Sequence, residues 1–190
     1  MIRRHFLIVF ACLGLLLCTP CAVVRAADIE ISQIKFEPTE EGYVLGANYE
    51  FELNHGLEDA VIRGFPLFFT AELELTRPRW YWLDEKAVVT RQTMRISYNV
   101  LTRQYYVGVL GNVHQSYSTL EEALALIRRP NRWLVAGKGI IKPGETYLGK
   151  LRMRLDVQYL SKPIQINSIN NSDWRLSSDK KSFTFKAEDK

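Results

Sequence analysis

The fold is indicated most clearly by residues 147–159, which read YLGKLRMRLDVQY. Apolar residues stand at most of the odd positions, and polar or charged residues stand between them from position 150 onward. Side chains of a β-strand alternate between the two faces of a sheet, so a period of two predicts one face on a core and one face in water. The apolar set is Tyr147, Leu151, Met153, Leu155, Val157 and Tyr159, and the opposite set is Lys150, Arg152, Arg154, Asp156 and Gln158.

The same period recurs along most of the chain. Clear alternation is found in residues 43–52, 65–75 and 88–98. The alternation slips between Ile31 and Ile34, as a β-bulge requires. Weaker patterns predict further strands at residues 29–36, 104–110, 133–135, 164–166, 173–177 and 182–186.

Two short helices are predicted among these strands. Residues 118–121 read Ser-Thr-Leu-Glu, a capping-box pattern, and they begin a helix over residues 119–128 that Pro130 stops. Asn54 can cap a second helix over residues 56–63, which Gly64 can end. Many antiparallel strands with two helices at their connections indicate a mainly β protein. We expect an antiparallel β-sandwich, immunoglobulin-like, with a flattened barrel as the alternative.

Residues 1–26 are typical of a cleaved signal peptide. The start is basic, residues 6–18 are apolar, and small residues stand at positions 24 and 26. The apolar run is too short to span a bilayer, which takes about 20 residues. Lipidation is disfavoured because Leu17 and Pro20, which precede Cys18 and Cys21, are not the small residues that the signal needs. We therefore predict a periplasmic protein with a single β-sandwich domain over residues 27–190 and no transmembrane helix.

Cleavage changes the charge and the cysteine content. It removes three of the 25 basic residues and none of the 21 acidic residues, so the formal charge falls from +4 to +1. All three cysteines are removed as well, which leaves no disulfide, thiolate nucleophile or cysteine metal site. A nearly neutral exported domain is a poor candidate for binding nucleic acid.

Five segments resemble an uncharacterised proteobacterial family of exported proteins, the domain of unknown function 4390. They are residues 57–67 (LEDAVIRGFPL), 77–82 (RPRWYW), 98–105 (YNVLTRQY), 120–124 (LEEAL) and 159–166 (YLSKPIQI). The resemblance implies a Gram-negative source, an envelope location and a small exported domain. The resemblance also implies a gene that often lies near one for an envelope sensor histidine kinase, which favours a signalling accessory, and it carries over no catalytic residue.

Catalytic patterns are weak in the mature chain. His55 and His114 are nearly sixty positions apart, and neither has the neighbours of a metal site. Residues 177–180 (SSDK) match S-x-x-K, but they stand in a polar turn rather than at the start of a helix. Glu72 and Glu74 are most simply the solvated face of a strand. We predict no enzymatic activity, no cofactor and no metal.

Charge is divided unevenly along the chain. Residues 27–75 carry a net charge of −9, and residues 128–154 carry +7. The simpler interpretation is that acidic and basic strands pair across the sheet, where each exposed pair stabilises the fold by about 0 to 1 kcal/mol. The alternative is a basic surface that binds an acidic partner or an anionic envelope component. Its candidate residues are Arg91, Arg95, Arg152 and Arg154.

Aromatic residues form a second candidate surface at Trp80, Tyr81 and Trp82. Consecutive rings on a strand point to both faces, so at least one is expected outside the core. We therefore predict a non-enzymatic periplasmic binding or accessory protein that assists an envelope signalling or assembly system through an envelope protein partner. A carbohydrate- or cell-wall-binding module that uses the tryptophans is the alternative, and the oligomeric state is left open.

Overall fold

The structure is a computed structural model that describes residues 28–81, 84–130, 132–169 and 171–188, without the side chain of residue 169. The predicted signal peptide and the candidate residue Trp82 lie outside the described residues.

Nine strands of the described residues form two antiparallel sheets, which confirms the mainly β prediction. In chain order the strands are β1 (Glu30–Pro38), β2 (Gly42–Glu50), β3 (Leu67–Arg77), β4 (Glu85–Asn99), β5 (Gln104–Val109), β6 (Gln115–Tyr117), β7 (Trp133–Gly137), β8 (Thr146–Leu155) and β9 (Lys181–Lys186). The small sheet has the order β1-β2-β7, and the large sheet has the order β6-β5-β4-β3-β8-β9. Strands β3 to β6 thus form a meander, which β8 and β9 extend on the other side of β3.

In the described part of the chain, three α-helices connect the strands: α1 (His55–Ile62), α2 (Leu120–Arg128) and α3 (Lys162–Ile169). Asn54 caps α1 by accepting a hydrogen bond from the backbone N–H of Leu57 at 2.9 Å. The predicted helix over 119–128 is confirmed as α2, but its capping box begins one residue later than the sequence pattern indicated. Thr119 is the N-cap, and it exchanges hydrogen bonds with Glu122.

The region between β8 and β9 differs most from the sequence prediction. The strand predicted through Tyr159 ends at Leu155, and Val157–Tyr159 form a 3-10 helix capped by Asp156. The strand predicted at residues 164–166 lies inside α3, whose first turn holds Pro163; proline is well accommodated there, and three alternating residues are too few to define a strand. Most of the strand predicted at 173–177 is also wrong, because Ser172–Trp174 form a 3-10 helix and Ser177 makes isolated bridges.

One continuous hydrophobic core joins the two sheets. The rings of Phe51, just after β2, and Phe69 on β3 stack with centroids 5.1 Å apart. Phe36 on β1 lies against Phe185 on β9, with centroids 4.3 Å apart. The predicted bulge in β1 is present as a register shift between Ser32 and Lys35. Packing one face of the large sheet against the small sheet directs the alternate side chains of β3, β4 and β8 outward, and the charged candidates stand there.

Candidate functional site

The charged candidates meet on the outward face of the large sheet. Glu72 on the central strand β3 is in register with Arg91 on β4 and with Arg152 on β8. Glu74, two residues further along the same face, is in register with Lys150 on β8. Directly opposed residues on neighbouring strands have Cβ atoms about 5 Å apart, so an acidic strand stands between two basic ones.

The two glutamates on this face form ion pairs with other partners. A carboxylate oxygen of Glu72 lies 3.3 Å from Arg154, and one of Glu74 lies 3.1 Å from Lys86. Among the described residues, no ion pair or side-chain hydrogen bond involves four other cations nearby. These four cations are Arg91, Lys150, Arg152 and Lys180. They line one cavity, which we call the basic cleft.

The basic cleft has a volume of about 400 Å³, and Glu72 and Glu74 lie between its four cations. Arg91 and Arg152 were predicted from sequence, but Lys150 and Lys180 were not selected. The register of Lys150, two residues before Arg152 on β8, would have identified it. Lys180 precedes β9 in a connection whose sequence has no periodicity, so no pattern predicted its position at the cleft.

Arg154 has a structural role instead. Its guanidinium lies 2.9 Å from Asp156, which is 2% exposed and also accepts a hydrogen bond from Thr70. Burial acts to lower the pKa of Arg154, but the hydrogen bonds and charges of Asp156 and Glu72 outweigh it and raise that pKa. Because its charge is neutralised within the fold, Arg154 adds little to a surface that binds an anion.

Arg95 stands further along β4, opposite Phe68 rather than Glu72. Its Nε atom is buried and has no hydrogen-bond partner among the described residues. Arg95 does not line the basic cleft. The four arginines predicted to act together are therefore divided: two line the cleft, one is neutralised and one lies apart.

The aromatic candidates lie in the connection between β3 and β4. Trp80 is 94% exposed and Tyr81 is 67% exposed, and their ring centroids are 5.1 Å apart in an edge-to-face arrangement. Arg77 and Arg79 both donate hydrogen bonds to Glu85, which lower the pKa of that carboxyl group. Neither Trp80 nor Tyr81 lines the basic cleft.

The residues of the weaker catalytic patterns make ordinary structural contacts. Ser178, in the S-x-x-K match, is buried, and its hydroxyl accepts a hydrogen bond from the backbone N–H of Met153 at 2.9 Å. His55 is exposed and lies 4.0 Å from Asp59 on α1. A search of the described residues finds no cluster of three or more His, Cys, Asp or Glu side chains that could hold a metal ion.

The fold and this surface define a mainly β domain with a cationic cleft on one sheet. The chain belongs to the family described as Domain of unknown function (DUF4390), whose model matches residues 26–184. Comparisons with curated proteins and with solved structures found no match. Within the described part of the chain, no helix is both long and apolar enough to cross a membrane.

Proposed function

We propose that this chain is a non-enzymatic, exported binding protein of the bacterial periplasm, and that its basic cleft recognises an acidic segment of an envelope protein. In this role it assists a signalling or assembly system of the envelope. For the fold, we propose an immunoglobulin-like sandwich. The face-to-face packing of the two sheets supports this fold. The meander of β3 to β6 differs from the Greek-key connections that are usual in it.

The observation that carries the proposal is the pairing of charges around β3. Both glutamates on the cleft are neutralised by cations that do not line it, Arg154 and Lys86. The cations that do line the cleft therefore keep their capacity to bind an external anion. Two of them are arginines, whose guanidinium groups bind carboxylates through two parallel hydrogen bonds.

The partner should present several negative charges rather than one. Arg91 and Arg152 stand on strands separated by β3, so their backbones are about 10 Å apart. Together with Lys150 and Lys180 they place four positive charges around the cleft, which an acidic segment with two or more carboxylates matches better than a single carboxylate does. Association should be steered by charge and should weaken as the salt concentration rises.

Site-specific crosslinking in living cells tests this proposal. Val89 lines the cleft and is 69% exposed, so a photoreactive amino acid at position 89 reports on an occupant without removing a charge. We expect it to capture one envelope protein. The double charge reversal Arg91→Glu with Arg152→Glu should reduce that capture about tenfold or more, since truncating favourable charge pairs costs affinity.

Lys35→Glu with Lys138→Glu is the matched control, because it changes the net charge equally at exposed positions away from the cleft. Capture that survives the control but not the cleft variant supports the proposal. Equal loss in both variants, or no capture from position 89 when other surface positions crosslink, refutes it.

A carbohydrate- or cell-wall-binding module is the second candidate, and the exposure of Trp80 favours it. Exposed tryptophan rings bind the apolar faces of sugars. This function predicts that cell-wall glycans quench tryptophan fluorescence in the wild type and not in Trp80→Ala. The same glycans should bind Arg91→Glu with Arg152→Glu normally, which separates this function from the first.

A further inference from the structure

A second cavity, of about 740 Å³, lies where the chain leaves β2 and passes the start of α1 and the side of α2. Its apolar lining consists of Phe51 and Leu53 from the connection after β2, and Leu120 and Leu124 from α2. We call this cavity the α2 groove. It shares no lining residue with the basic cleft and has the larger volume of the two.

The rim of the α2 groove has the opposite charge to the basic cleft. Four carboxylates line it, from Glu50, Glu52, Glu58 and Glu121, against the single cation Arg128. Glu50 accepts a hydrogen bond from Ser32, and Glu121 pairs with Arg128. Glu52 and Glu58 have no ion pair or side-chain hydrogen bond within the described residues, so two negative charges on the rim are unneutralised.

Arg128 shows which chemistry this groove accommodates. Its guanidinium carbon lies 5.5 Å from the centroid of the Phe51 ring, and its Nε donates a 2.9 Å hydrogen bond to the backbone carbonyl of Phe51. The groove thus already holds one guanidinium between an aromatic face, a carbonyl oxygen and a carboxylate. Each of these groups favours a planar cation.

We propose that the α2 groove docks a segment of a second protein that carries arginine or lysine residues among apolar ones. Its cations pair with Glu52 and Glu58, and its apolar side chains cover Leu120, the one apolar lining residue that is partly exposed. A small polyvalent cation would use the carboxylates but leave the exposed part of the apolar floor, Leu120, in water, so a protein segment is the better match. The inference does not depend on the function proposed for the basic cleft.

Fluorescence anisotropy with a defined peptide tests the inference on the full mature chain. The probe is a fluorescein-labelled octapeptide of alternating leucine and arginine. Two matched peptides replace every arginine by glutamine or every leucine by glycine. We expect the probe to bind, and both matched peptides to bind at least tenfold more weakly, because binding uses charge and apolar contact together.

Charge-neutralising variants assign the binding to this groove. Glu52→Gln with Glu58→Gln should weaken binding about fivefold to tenfold, which corresponds to the loss of two partly exposed charge pairs. Glu40→Gln with Glu41→Gln is the control: it removes the same charge from exposed positions at the opposite end of β2, about 27 Å away. The control should bind the probe as the wild type does.

Four results would overturn the inference. If Glu40→Gln with Glu41→Gln weakened probe binding as much as Glu52→Gln with Glu58→Gln, the probe would be attracted by net charge alone. Full binding of the glycine peptide, or full displacement of the probe by spermine at matched charge concentration, would show that the apolar floor contributes nothing. Unchanged binding in Glu52→Gln with Glu58→Gln would place the peptide elsewhere on the surface.

Discussion

Asp156 is the one acidic residue with a buried side chain among the residues that the structure describes. One carboxylate oxygen lies 2.9 Å from Arg154 and accepts a hydrogen bond from Thr70 at 3.2 Å, and the other caps the 3-10 helix through the N–H of Gln158. Thr70 is also hydrogen-bonded to Thr93 on β4. This network joins three strands of the large sheet on the face that is turned away from the core.

Replacing Asp156 with asparagine should therefore destabilise the fold by about 2 to 3 kcal/mol, because it leaves Arg154 partly buried without its closest anion. Urea unfolding measures this change. Glu72→Gln removes the other, more exposed anion of Arg154, and it should cost less than about 1 kcal/mol. Equal effects of the two substitutions would show that burial of Asp156 has no energetic importance.

The roles of single arginines could be predicted only in part from the sequence. Alternation correctly assigns Arg91, Arg152 and Arg154 to one face of a strand. It does not show that the chain turns at Asp156 and places a buried carboxylate beside Arg154. That contact depends on a 3-10 helix that no pattern indicated, so the distinction between a neutralised arginine and an available one needed the structure.

At the level of elements, local chemistry decides which predictions succeed. Helices α1 and α2 have a side-chain cap and an apolar stripe, and both were predicted. Helix α3 offers two isoleucines in alternation and a proline, and its sequence lacks an apolar stripe like those of α1 and α2. Its position is set by packing between the two 3-10 helices, which is tertiary information.

The hairpin between β1 and β2 gives a prediction at this scale. Gly42 has φ +143°, and a Cβ atom at that position would stand 2.0 Å from the carbonyl oxygen of Ala136 on β7. We expect Gly42→Ala to lower the free energy of unfolding by about 2 to 3 kcal/mol through backbone strain and steric overlap.

Gly46 in the same strand is the matched control, since a Cβ atom there has no heavy atom within 4 Å. Gly46→Ala should change stability by less than about 1 kcal/mol, with a stabilising direction expected from the lower entropy of the unfolded chain. Both values come from urea unfolding curves. A Gly42→Ala variant as stable as Gly46→Ala would contradict the close approach of β2 and β7.

For the whole molecule, the uneven charge division has a structural explanation that combines both sequence interpretations. The acidic strand β3 does lie between basic strands, as the pairing interpretation predicts. The pairing is incomplete, because Glu72 and Glu74 engage Arg154 and Lys86 and leave the cations of the basic cleft without ion pairs among the described residues. The sequence predicts the charged face of each strand, but not the order of strands that decides which charges meet.

Because one continuous core joins the two sheets, we expect the whole domain to unfold as a unit. Trp133 on β7 is buried in the small sheet, whereas Phe69 is buried in the large sheet and stacks on Phe51. If the two sheets form one cooperative unit, Phe69→Leu should lower the urea midpoint of unfolding equally for the small sheet and the large sheet. A loss of about 1 to 2 kcal/mol is expected for this substitution within a packed core.

A chain in which Trp80, Trp82 and Trp174 are replaced by phenylalanine isolates the fluorescence of Trp133 as the reporter of the small sheet. Circular dichroism reports all strands of both sheets. Coincident urea transitions by the two measurements, shifted together by Phe69→Leu, support one domain over residues 27–190. A Trp133 transition that stays in place while the dichroism midpoint falls would show that the small sheet unfolds independently, because two-state unfolding requires every probe to follow a single transition.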